Sequence, residues 1–151
     1  MLFRSLPHGL PRSLLRALGA ASADDFACLQ PLLRERARTG HVVDGHGDLH
    51  ARNVCMTAPP TVYDCIEFTP AFRIGDVATE IAFLVMDLRY RRARSLADTF
   101  VAAYVAARGD AELPALLPIL CGYRAMVRAK VGAFPAAEPE LAPAEIGRAH
   151  V

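Results

Sequence analysis

His46-Gly47-Asp48-Leu49-His50-Ala51-Arg52-Asn53, followed shortly by Val62-Tyr63-Asp64, is the stretch on which the reading of this chain turns. Between Val42 and Asn53 the apolar periodicity disappears and two glycines, two aspartates and two histidines crowd together, which predicts a loop. Asn53 to Thr57 and Thr61 to Ile66 are β-rich runs separated by Ala58-Pro59-Pro60, so a small hairpin is expected directly after that loop. Polar residues with distinct chemistry are thus gathered at one place, and functional groups concentrate in such loops.

Outward from this centre the chain reads as helix. Beyond Gly75, Val77, Ile81, Leu84, Val85 and Leu88 follow helical spacing, with Asp76 at the N-cap. Ser95 to Ala107 predicts a further helix ended by Gly109, and Leu113 to Phe134 a longer one interrupted or bent near Pro118. Upstream, Pro11 with Leu14, Leu15 and Leu18 suggests a short helix stopped by Gly19, and Ser22-x-x-Asp25 a second start, running through Phe26, Leu29, Leu32 and Leu33 to about Arg38. The Pro-rich tail after Phe134 is expected to be irregular. The fold class expected is α+β, mainly α-helical, with a small β hairpin beside the loop.

Composition narrows the function classes. A chain of 151 residues with 53% hydrophobic content can bury one core. Its net charge of +1, from 17 basic and 16 acidic residues spread along the chain, offers no footprint for nucleic acid or an anionic membrane. No apolar run approaches the roughly 18 residues needed to span a bilayer, since Ile81 to Leu88 is broken by Asp87. Cys28, Cys55, Cys65 and Cys121 stand apart without a C-x-x-C pair, as reduced thiols do, and a cytoplasmic location is expected. Residues 1–5 and 145–151 look like translated adapter sequence, which leaves residues 6–144 as the native segment.

The central spacing, H-x-D-x-x-x-x-N and then an apolar strand ending in Asp, suits phosphoryl transfer. That reaction needs a carboxylate beside the attacking hydroxyl and separate oxygen ligands for Mg²⁺, which bridges the nucleotide phosphates. Asp48 and Asn53 on one loop, with Asp64 on the neighbouring strand, can meet those needs.

At these residues the chain resembles the aminoglycoside phosphotransferase family, whose loop commonly reads H-G-D-L-H followed by a nearby Asn. Tyr63-Asp-Cys-Ile-Glu-Phe68, Arg73-Ile-Gly-Asp76, Phe83-Leu-Val-Met-Asp-Leu88 and Tyr123-Arg-Ala-Met-Val-Arg-Ala-Lys130 extend the likeness to bacterial proteins that join such a domain to a P-loop ATP-binding domain. The resemblance implies a protein-kinase-like C-terminal lobe that uses ATP and Mg²⁺ to phosphorylate a hydroxyl of a small, aminoglycoside-like molecule. It makes Asp48 the catalytic base and Asn53 and Asp64 the metal ligands, with His46 and Asp76 supporting the loop; His50 lines the site, and Glu67 is either an outer group or a solvated carboxylate. The N-terminal lobe that would clamp the nucleotide and the downstream P-loop domain are expected elsewhere, since about forty residues precede the loop and no G-x-x-x-x-G-K-[ST] occurs. Nucleotide-binding residues therefore remain unknown, and the fragment is expected to turn over little or nothing by itself.

Two rival readings exist. His46, Asp48 and His50 at alternate positions could converge on one metal, as in a metal-dependent hydrolase, if the segment were extended. A non-catalytic, pseudokinase-like binding module is the other, against which the intact Asp48, Asn53 and Asp64 argue.

Overall fold

The computed structural model describes residues 12–133. The element order is α1 (Arg12–Arg38), β1 (Val42–Asp44), a 3-10 turn (Ala51–Asn53), β2 (Val54–Cys55), β3 (Thr61–Val62), a second 3-10 turn (Pro70–Phe72), β4 (Ile74–Asp76), α2 (Val77–Tyr90), α3 (Arg94–Arg108) and α4 (Leu113–Ala133). The chain is α+β and mainly helical, as expected. The adapter-like ends, the proline at position 11 and the Pro-rich tail lie outside the described residues.

One continuous helix replaces the two expected upstream, running through Gly19 and Pro31. A glycine inside a helix costs only about 1 kcal/mol relative to alanine, and Ala20 and Ala21 favour continuation. Pro31 leaves the carbonyl of Ala27 without its helical donor, but both residues are exposed and water can serve that carbonyl. The helix ends where Gly40 adopts φ +85° and the His41 N–H donates back to the Arg36 carbonyl at 3.0 Å. Pro118 likewise does not interrupt α4.

The stretch expected to be wholly loop begins as a strand. β1 pairs antiparallel with β4, in the register Val42 to Asp76, Val43 to Gly75 and Asp44 to Ile74. Its partner lies some thirty residues away, so no local turn signal announces it. The hairpin is present where the proline turn suggested, with Val54 opposite Val62 and Cys55 opposite Thr61, although its strands are shorter than the β-rich runs.

Asp76 caps α2 by accepting from the Ala78 N–H at 2.8 Å. From there α2 becomes the central helix: Ala78, Ile81, Ala82, Val85 and Leu88 pack against Leu113, Leu116, Leu117 and Leu120 of α4 and Ala97 of α3. Phe26, Leu29 and Leu32 of α1 close the same core from the other side. Gly109 ends α3 at φ +69°, and Asp110 then caps α4 through the Leu113 N–H at 3.2 Å. Among the described residues no helix is long and apolar enough to cross a membrane.

Candidate active site

The loop from Gly45 to Asn53 sits between the two small sheets, and its shape follows from its own hydrogen bonds. His46 Nε2 lies 2.7 Å from the Tyr63 carbonyl, which can only accept, so Nε2 carries the proton. Nδ1 is then free to accept the Asp48 N–H at 3.3 Å. The imidazole therefore ties the loop to the hairpin, and both ring nitrogens are committed in doing so. Asn53 Nδ2 donates to the Asp48 carbonyl at 3.0 Å, and the Tyr63 N–H donates to the Asn53 carbonyl at 3.0 Å. Tyr63 also reaches back through its hydroxyl to the Arg52 carbonyl at 2.6 Å.

These bonds join Asp48 and Asn53 to Tyr63, the residue that Asp64 follows in the chain. Asn53 is buried, and with Nδ2 used its Oδ1 is the atom left to take a ligand. Asp64 directly follows the residue held by both His46 and Asn53; it is exposed, has no hydrogen-bond partner among the described residues, and sits at φ +64°. A non-glycine residue in that region is uncommon, and such backbone is found often at functional sites. Asp48 keeps its carboxylate partly open, with Oδ2 3.3 Å from His50 Nε2. His50 is buried edge-on to Phe83, and its Nδ1 is sealed from solvent without a partner.

Asp76 reaches no side chain of the loop. Its carboxylate takes the Arg36 guanidinium at 2.8 and 3.0 Å besides capping α2, while its backbone closes β4 onto the strand that leads into the loop. The carboxylate that does reach the loop is that of Glu80, one turn further along α2. Both its oxygens accept the Gly47 N–H at 3.1 Å, while Arg124 of α4 donates to Glu80 and to the Gly47 carbonyl, each at 3.3 Å. Asp87 holds the other end of the loop by accepting the Ala51 N–H at 3.0 Å. Burial raises the Asp87 carboxyl, but the Arg91 guanidinium and that N–H outweigh it and leave the group below the ordinary carboxylate range. Glu80 escaped the sequence reading, and Asp87 and Arg124 entered it only within longer stretches, with no role at the loop given; each is a charged residue on a largely apolar helix, which is the one local sign available. Glu67 is exposed.

A cavity of about 310 Å³ opens beside the loop, lined by Asp48, His50 and Phe83 on one side and by Val127, Arg128 and Val131 of α4 on the other. Among the described residues no group of three or more His, Cys, Asp or Glu is gathered as a metal cage. An amide oxygen and one carboxylate nonetheless suit Mg²⁺, which keeps waters and takes substrate phosphates as ligands. They would not suit a metal gripped by His46, whose nitrogens are both engaged.

Over 114 residues, 74% of its length, the chain is 38% identical to uncharacterized proteins of Mycobacterium bovis and of two strains of Mycobacterium tuberculosis. The aligned part spans only 23% of the length of those curated relatives. No protein-family model and no solved structure matches the chain.

Proposed function

We propose that this chain is the catalytic lobe of an ATP-dependent phosphotransferase of the protein-kinase-like type, acting on a hydroxyl of a small molecule. The observation that carries the reading is the hydrogen-bonded closure of the loop. His46 bridges Asp48 and Tyr63, and Asn53 holds the Asp48 carbonyl, so the loop that carries the open Asp48 carboxylate and the Asn53 amide is tied to the strand end that Asp64 follows.

In this reading Asp48 accepts the proton of the acceptor hydroxyl. The hydroxyl oxygen bonds to the γ-phosphorus of ATP while the bond from that phosphorus to the β–γ bridging oxygen breaks, and ADP leaves. Asn53 and Asp64 would hold Mg²⁺, which would offset the charge on the phosphates. Glu80, Arg124 and Asp87 keep the loop in register beneath these groups. The groups that clamp the nucleotide are proposed to lie outside this segment, whose aligned part spans only 23% of the length of the relatives. The exposed Met56, Phe68 and Phe72 near the hairpin fit a face covered by such a lobe.

The test is amide chemical-shift mapping of the 151-residue chain with ATP, with and without Mg²⁺. Weak binding is expected, with Mg²⁺-dependent shifts centred on Asn53 and Asp64 and lost in Asp64→Asn, a substitution that tolerates the positive φ. Tight stoichiometric binding of Zn²⁺ around His46 and His50, or nucleotide shifts remote from the loop, would refute the proposal.

A further inference from the structure

The cavity beside Asp48 carries a charge pattern of its own. Its walls carry two charged groups, Asp48 on the loop and Arg128 on α4, separated by Phe83, Val127 and Val131. His50 turns its Nε2 onto Asp48, and Arg128 has no hydrogen-bond or ion-pair partner among the described residues. The nearby carboxylate of Asp87 is already taken by Arg91 at 2.9 Å and by the Ala51 N–H. Arg128 adds to the field that holds the Asp87 carboxyl low but makes no direct bond to it among the described residues, so a guanidinium beside apolar side chains on the cavity that Asp48 also lines is a ready recognition group for an anion.

We propose that the acceptor is a small hydroxylated compound with a negative group and an apolar portion, its anion paired with Arg128 and its hydroxyl presented to Asp48. This rests on the phosphotransferase reading above and names its substrate class. A polycationic aminoglycoside is the poorer fit. Its amines would need several carboxylates, whereas among the described residues the cavity is lined by the one assigned as base, and they would meet Arg128. At about 310 Å³ the space is also at the small end of ligand cavities, and a multi-ring sugar would lie largely outside it.

The experiment is an amide-shift titration of the full chain with 3-phenyllactate, its neutral amide, and kanamycin, repeated in Arg128→Ala and Arg128→Lys. Phenyllactate is expected to shift Asp48, His50 and Val127 to Val131, and to bind at least about tenfold more weakly in Arg128→Ala, the loss typical of a charged hydrogen bond. Arg128→Lys should retain most of the affinity, while the amide binds weakly and kanamycin leaves the cavity unshifted. Kanamycin binding there, or phenyllactate affinity indifferent to Arg128→Ala, overturns the inference. ATP with Mg²⁺ in the same samples separates the two failures. Nucleotide shifts at Asn53 and Asp64 without phenyllactate binding sink the acceptor class alone. Phenyllactate binding without any nucleotide response sinks the phosphotransferase reading, and the acceptor role with it.

Discussion

Glu80 and Arg36 are the two residues whose replacement separates the support of the loop from the support of the frame. Glu80 is buried, accepts the Gly47 N–H through both oxygens and pairs with Arg124, so Glu80→Ala leaves the Gly47 amide without its partner and the buried Arg124 guanidinium without its counter-charge. A loss of about 3 kcal/mol or more is expected in urea denaturation, with Glu80→Gln costing markedly less. Arg36 is 1% exposed and joins Asp76 of β4 to Asp110 at the start of α4. Its guanidinium holds the Asp110 carboxyl below the ordinary carboxylate range, although burial opposes this. The folded value lies below the unfolded one, so the unfolded chain binds more protons between the two. Asp110 therefore contributes its full stability above about pH 4 and loses it as pH falls through the folded value. The stability gap between the natural chain and Asp110→Asn, wide at neutral pH, should narrow below about pH 4 in denaturant titrations. A gap independent of pH would contradict the pairing. That His46, Asp48 and Asn53 share one loop, with Asp64 past the hairpin that follows, was legible in the sequence because these relations are local. Glu80 and Arg124 were not, because only the packing of α2 on α4 brings them to Gly47.

The same division holds among the elements. The hairpin declared itself through Ala58-Pro59-Pro60 between β-rich runs, and α2 through Asp76 and its apolar spacing. β1 could not, because its partner β4 is distant in the chain, and Val42–Asp44 alone looks like the start of a loop. Gly19 misled because a glycine stops a helix only where the backbone turns left-handed after it; Gly40 does so and Gly19 does not. Within the loop Gly47 has both constraints at once. Its φ is +82°, and a Cβ there would stand 3.0 Å from the Phe72 carbonyl oxygen and 3.1 Å from Ile66 Cδ1. Gly47→Ala is expected to cost about 1–3 kcal/mol in thermal or urea unfolding and to disturb the amide shifts of Asp48 and Ile66. An unperturbed variant would show that the loop is not held as described.

At the scale of the molecule, one helix serves two purposes. α4 supplies Leu113, Leu116 and Leu120 to the core, and from its later turns Arg124 to the loop and Arg128 to the cavity. Leu116→Ala should therefore cost about 2–5 kcal/mol and loosen the loop together with the core, seen as faster hydrogen exchange at the Gly47 and Ala51 amides. Core loss with an unchanged loop would place the support of the site elsewhere. The central claim, that Asp48, Asn53 and Asp64 form a phosphoryl-transfer site, is tested most directly by replacing Mg²⁺ with Mn²⁺ in the presence of ATP and recording paramagnetic broadening of the amide spectrum. The account expects broadening centred on Asn53 and Asp64, dependent on nucleotide and abolished in Asp64→Asn. Broadening centred on His46 and His50 without nucleotide, or surviving Asp64→Asn, would contradict it.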